Sequence, residues 1–431
     1  MMNKIFYIVL LTLVSLIFFA CGGDEKVVTY EEPEILPDLA DAKPYRETSP
    51  YADVLKECVS AEVESQSCLL SDLPFIGQEF DSPTTDDIMN RVFVSHDWMG
   101  ANFQTMLDYL PADIKILLKG VTAIVIDADI IPSYYSTLTG AIYLDPDYLW
   151  FSSGQKMDIP QKSDYRADFG NDLQFLTLAR YTINNTYASS GFNYPPRTMS
   201  TIRYPLASLL YHELAHAGDF VPPSRLPLLS PDQRVADVIN THYYNNQMVS
   251  HSLYSSHPLD SVMLKGLAQV MYQGVTATAI QRTYSAATVG GEFEKEGAND
   301  FYNYSNIYED TAMLFQETML KYHYNVDRDV AFTVIPANEL YCNYYIVKWG
   351  VRGRIGDPLV KDRAGHVAGL LLPHTDFTPF FSNLSSPITM TINNSWCDNL
   401  DLGGASKPSF KGKADFKVPP DQLKRDAHSL H

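Results

Sequence analysis

Tyr211-His212-Glu213-Leu214-Ala215-His216-Ala217-Gly218-Asp219-Phe220 carries the pattern H-E-x-x-H. On an α-helix two histidines four residues apart lie one above the other, about 40° apart around the axis, so both imidazoles face one ion. Glu213 stands a side-chain width aside, where it engages a metal-bound water without taking a coordination position itself. Leu206, Leu209, Leu210 and Leu214 form an apolar stripe that buries this helix. Pro205 suits its first position, Gly218 offers a stop, and Pro222-Pro223 forbids continuation. Two histidines and a glutamate on a buried helix need a chemical reason, because burying unpaired polar groups is costly.

Two histidines do not complete a protein zinc site; a third protein ligand is needed, with water in the fourth place. A metzincin has glycine three residues after the second histidine and His or Asp at six, whereas these positions hold Asp219 and Pro222. Asp219 falls on the histidine face but lies about 10 Å further along the axis than His212, on a short side chain. It is better suited to orienting His216 from behind.

A later stretch, Tyr302-Asn303-Tyr304-Ser305-Asn306-Ile307-Tyr308-Glu309-Asp310-Thr311-Ala312-Met313, supplies a candidate. Together with H-E-x-x-H it resembles the gluzincins, zinc peptidases whose third ligand is a glutamate on a later helix, and most of all their lethal-factor-like branch. There the ligand glutamate is followed at +3 by alanine, matched by Ala312, and preceded at −7 by a tyrosine, matched by Tyr302. The resemblance implies that His212, His216 and Glu309 hold one Zn2+, and that Tyr302 helps to hold the oxyanion. The branch often has an acid at +4 to brace a histidine. Met313 stands there instead, which leaves Asp310, Gln316 or Asp219 for that task. Glu309 also suits a helix N-terminus, where the dipole favours an acid. His323 lies about 21 Å further along the same helix and cannot reach that ion.

The fold implied is α+β: a zincin-like two-lobed domain with a mixed sheet and an active-site helix, plus further helices and short strands. The reaction implied is zinc-dependent hydrolysis of a peptide bond, Glu213 taking a proton from the zinc-bound water and passing it to the leaving amine. The alternative is a catalytically inactive zincin-fold lipoprotein with a binding or structural role.

The first twenty residues place the chemistry in a compartment. Lys4 precedes an apolar run from Ile5 to Ala20, which ends at Phe18-Phe19-Ala20-Cys21. This reads as a signal peptide, and the cysteine after a small residue resembles a bacterial lipobox, in which Cys21 is acylated. The expected location is the bacterial cell envelope, lipid-anchored, with the outer membrane favoured because no Asp follows Cys21. The whole chain carries 32 basic and 51 acidic residues, net −19. So acidic a chain is a poor partner for nucleic acid; a peptide or protein substrate and the membrane lipid are the expected partners. Cys58, Cys68, Cys342 and Cys397 remain for an oxidising compartment, and proximity favours Cys58–Cys68 and Cys342–Cys397 disulfides among three pairings.

Along the chain, residues 21–50 read as an acidic, Pro-rich tether. Residues 51–400 form the metallopeptidase region, the upper lobe about 85–220 and the lower about 221–400, with 401–431 a polar tail. A helix is expected over 96–110 with Ser95 as N-cap, and strands over 121–127 and 139–145, with a Pro- and Tyr-containing loop between them. In H-E-x-x-H peptidases a strand shortly before the metal helix edges the cleft, where substrate backbone pairs with it; residues 139–145 equally fit an internal strand. Helices are expected over 172–182, 258–273 and 305–323, with 274–300 loop-like. A strand is expected over 330–335, then short strands and turns. His242, His251 and His257 fall in a polar segment, where His251 or His257 is a candidate transition-state donor.

Overall fold

The computed structural model describes residues 36–160, 162, 166, 168–189, 191–337 and 341–402. The expected signal peptide, Cys21, the start of the tether and the tail beyond 402 lie outside these. Among the described residues no helix is long and apolar enough to cross a membrane.

Short β-branched runs build the first sheet. Strands β1 (Lys43–Pro44), β2 (Val92–Val94), β3 (Ile124–Ile126), β4 (Tyr134–Tyr135) and β5 (Ile142–Leu144) lie in the order β1-β2-β3-β5-β4. The central three are parallel and buried at every residue, as strands covered on both faces must be. β4 pairs antiparallel with β5 and forms the edge. The stretch expected over 139–145 is therefore an internal strand, and the edge of the sheet comes from the loop before it. At the other edge β1 pairs antiparallel with β2, and Leu39 and Ala42 are buried. Residues 36–50 thus belong to the folded body rather than to a tether, and Pro44 sits at an edge, where a missing N–H is tolerated.

The second sheet is antiparallel throughout: β6 (Phe175–Ile183), β7 (Thr186–Tyr187), β8 (Asp327–Val334), β9 (Val347–Arg352) and β10 (Ile388–Thr389), in the order β10-β9-β8-β6-β7. β6 replaces the helix expected over 172–182. Its residues pair one for one with β8, from Phe175 opposite Val334 to Thr182 opposite Asp327. Asn184 and Asn185, both at positive φ (50° and 62°), make the two-residue turn into β7. Because β6 shares a sheet with strands beyond residue 326, the strands do not divide at residue 220 as the expected lobes do.

Between these layers runs the histidine helix, Met199–Phe220, buried at every residue from Pro205 onward. Thr198 caps it by accepting from Thr201 N, so Pro205 lies inside the helix rather than at its start. The helix tolerates this at the loss of one N–H donor. It runs past Gly218 because Leu371 packs there: a Cβ on Gly218 would sit 2.8 Å from Leu371 Cδ2. The glutamate helix, Ile307–Tyr324, packs along it, capped by Asn306 and closed by Asn325 in the left-handed region. Together these two helices and the first sheet form the main core, while the helices Val262–Tyr272 and Ala286–Phe293 close a second core on the second sheet.

Other boundaries shift for local reasons. The helix expected over 96–110 spans Asp97–Tyr109 with His96 at its N-cap, since Ser95 Oγ instead accepts from Ala128 N at 3.1 Å. Residues 274–300 contain the helix Ala286–Phe293, capped by Ser285. The C-terminal part, expected as strands and turns, contains the helix Pro358–Leu371, begun by an Asp357 cap and proline at the first position. Cys58–Cys68 and Cys342–Cys397 are disulfide-bonded, with Cα atoms 5.3 and 5.5 Å apart.

Candidate metal centre

The histidine and glutamate helices bring three side chains to one point. His212 Nε2 and His216 Nε2 lie 3.2 Å apart, and Glu309 Oε2 lies 3.0 Å from the first and 3.5 Å from the second. His212, His216 and Glu309 are the one cluster of three or more potential ligand residues found among the described residues. Bonds of about 2.0–2.1 Å to a tetrahedral ion place ligand atoms about 3.3 Å apart, which is the size of this triangle.

Hydrogen bonding sets which atoms face inward. Gln316 donates its amide to Tyr181 Oη (2.7 Å) and Ser208 Oγ (2.5 Å), which turns its Oε1 toward His212 Nδ1 at 3.0 Å. Nδ1 is then the protonated nitrogen, and Nε2 presents a lone pair to Glu309. Two imidazoles and a carboxylate converge here, a ligand set that fits a divalent ion such as zinc.

Burial and charge act against each other here. Burial alone would raise the Glu309 pKa, but His216 and His212 outweigh it and hold the carboxyl well below the usual range. Burial lowers the pKa of His212 despite the Glu309 contact. For His216 burial acts the same way but is overcome by Glu309, Glu213 and Asp219, so its pKa is raised. Glu213 is pushed up to about 8, first by burial and then by the Glu309 charge, against opposing help from His216, Arg166 and the Tyr135 backbone N–H. Its Oε2 is buried and finds no hydrogen-bond donor among the described residues.

Tyr302 lies in the 3-10 turn Phe301–Tyr304, its ring 6.4 Å from that of His212. The Tyr272 ring meets Tyr302 edge-on at 4.7 Å. Neither Tyr272 nor Arg166, which is buried and within charge reach of Glu213, stands out in the sequence. With 28 tyrosines in the chain, one more at the end of a helix gives no signal.

The residues expected to brace a histidine separate. Gln316 contacts His212. Asp219 Oδ1 accepts from Ser250 N at 2.7 Å, at the start of the helix Val249–Ser256. It remains within charge reach of His216, its pKa raised by burial to about 6. Asp310 braces no histidine. It lies about 100° round the helix from Glu309 and pairs with Arg363 (Nη2–Oδ2 2.5 Å) and with Asn303. His242 Nδ1 lies 2.8 Å from the Phe220 carbonyl and so closes the histidine helix. His251 lies tilted against Tyr243, and His257 lies near His366; neither belongs to the cluster. His323 pairs with Asp113.

No family model matches the chain, and no curated protein or solved structure matches it either.

Proposed function

We propose that the chain is a zinc-dependent peptidase of gluzincin type on a zincin-like two-lobed fold, acting on peptide or protein substrates in the bacterial cell envelope. The observation that carries this reading is the convergence of His212, His216 and Glu309 from two helices, with Glu213 beside them. Three protein ligands are the number found in catalytic zinc sites, whereas structural sites use four.

When bound, zinc supplies Lewis acidity to a scissile carbonyl and to water. Glu213 accepts the proton of the attacking water and returns it to the leaving amine; burial keeps this carboxylate basic enough for both transfers. Gln316 fixes the His212 tautomer and ring. Tyr302, steadied by Tyr272, donates a hydrogen bond to the developing oxyanion. Attachment follows from acylation of Cys21, so Cys21→Ser is expected to release the protein from membranes, and an unacylated native N-terminus by mass spectrometry would overturn that part.

One observation favours a second reading, a metal site with a binding or structural role: His212, Glu213, His216 and Glu309 are only 1 to 7% exposed. Cleavage of a peptide library by the metal-loaded chain decides between them. Hydrolysis that disappears in Glu213→Gln while metal is retained supports the peptidase; full metal without Glu213-dependent cleavage supports the second reading.

A further inference from the structure

A second site lies away from the metal centre, where the start of the histidine helix meets the end of the glutamate helix. An open cleft of about 390 Å³ is lined by Leu110, Pro111 and Ala112 on one side and by Arg203, His323 and Tyr324 on the other. Pockets of this size hold small organic ligands.

Two of its polar groups have no partner among the described residues: the buried Arg203 Nε and the buried Tyr324 hydroxyl. Leaving a buried donor unsatisfied is costly, so two in one cleft call for an acceptor. The Arg203 guanidinium is held by ring faces, with its Cζ 4.3 Å from the Tyr204 centroid and 5.4 Å from that of Tyr324. The two rings meet edge-on at 5.3 Å. A guanidinium stacked in this way offers its in-plane N–H groups to a planar oxyanion.

The neighbouring charge is already engaged. Asp113 accepts from the Tyr211 hydroxyl at 2.9 Å and pairs with His323 Nε2 at 2.5 Å. Both oxygens of that carboxylate are thus engaged by their own partners, and Arg203 brings a guanidinium to the cleft.

We propose that this cleft binds a small organic carboxylate, its carboxylate held by Arg203 Nε and Tyr324 Oη and its apolar part laid on Leu110, Pro111 and Ala112. The inference does not depend on the peptidase reading. Isothermal titration calorimetry of the purified full chain with phenylacetate tests it, with phenylacetamide and inorganic phosphate as comparisons. Phenylacetate is expected to bind saturably at one site, and the neutral amide about 10- to 100-fold more weakly, since a hydrogen bond to a charged group is lost. Arg203→Gln is expected to weaken phenylacetate about 10-fold or more, and Tyr324→Phe about 3- to 10-fold. Tyr324→Phe carries the test if Arg203→Gln does not fold. His212→Ala is expected to leave binding unchanged. Equal binding of the amide, or tighter binding of phosphate, overturns the ligand class. Binding that ignores Arg203 and Tyr324 but vanishes in His212→Ala assigns the carboxylate to the metal centre and overturns the site.

Discussion

The glutamate helix contributes to two clusters of histidine and carboxylate, one at each end, and the clusters are built on opposite principles. The side chains of His323 and Asp113, 24% and 17% exposed, are satisfied: one Asp113 oxygen takes the Tyr211 hydroxyl and the other meets His323. The side chains of His212 and Glu309, 2% and 10% exposed, converge with His216 on one buried point. A matched donor and acceptor hold two elements together. Two imidazoles and a carboxylate at one buried point share a proton or take a cation, and their spacing suits the cation. Residue type does not separate the two clusters; the convergence of three ligand atoms does.

The largest effect that could break this contrast is on turnover. Glu213→Gln is expected to lower kcat by about 10²- to 10⁴-fold, because an amide cannot accept the water's proton, while metal measured by mass spectrometry stays near one per chain. His212→Ala, His216→Ala and Glu309→Ala are expected to lose that metal. Retention of a full equivalent in Glu309→Ala, with loss in Asp219→Ala, would reverse the ligand assignment.

Glu309 and Asp310 sharpen the contrast within two consecutive residues. Asp310 is fully paired, with Arg363 and Asn303, and these contacts join the glutamate helix to the helix Pro358–Leu371. Asp310→Asn leaves a buried guanidinium without its counter-charge and is expected to cost about 3–5 kcal/mol in denaturant unfolding. Glu309→Gln removes a buried carboxylate whose charge partners are the two histidines, and is expected to cost less metal-free stability than Asp310→Asn. Equal destabilisation by both would show that Glu309 is a structural partner of the histidines rather than a ligand.

These two neighbours also mark what the sequence makes legible. H-E-x-x-H is local, so helical spacing alone sets His212 and His216 on one face, and the setting of Glu309 needed only a family resemblance. The Asp310–Arg363 pair joins segments 53 residues apart, and nothing local marks it. The same limit explains β6: Phe175–Ile183 has apolar residues on both faces, interrupted by Thr177, Arg180 and Thr182, and such a stretch fits a strand or a helix until its partner, β8, is known. Other misses did have local signals. Asn184-Asn185 is a hairpin turn, and Asp357-Pro358 opens a helix. β4 is two residues long and lies between a cis Ile131–Pro132 bond and Thr139, too short for any periodicity. The two disulfides were readable from spacing because each joins cysteines close in sequence relative to the alternatives.

A smaller effect tests whether Gln316 belongs to the metal centre or only to the core. It contacts His212 through Oε1 and anchors to Tyr181 and Ser208 through its amide nitrogen. Gln316→Leu keeps the volume and removes the acceptor, so zinc affinity by chelator competition is expected to fall about 10- to 100-fold. Gln316→Glu restores an acceptor and is expected to recover most of that loss. Unchanged affinity in both variants would confine Gln316 to packing.

The smallest expected effect is at His323, and it tests the contrast from its other side. The His323–Asp113 pair is a partly exposed, satisfied contact, and such pairs contribute up to about 1 kcal/mol. His323→Ala is therefore expected to lower unfolding stability by no more than that, and to leave zinc stoichiometry at one per chain. Asp113 would keep the Tyr211 hydroxyl, so the tie to the histidine helix survives the substitution. Loss of zinc from His323→Ala would break the comparison, because it would mean that the satisfied cluster sets the spacing of the two helices on which His212, His216 and Glu309 depend. Stability and zinc both unchanged would leave metal binding to His212, His216 and Glu309 alone, as proposed.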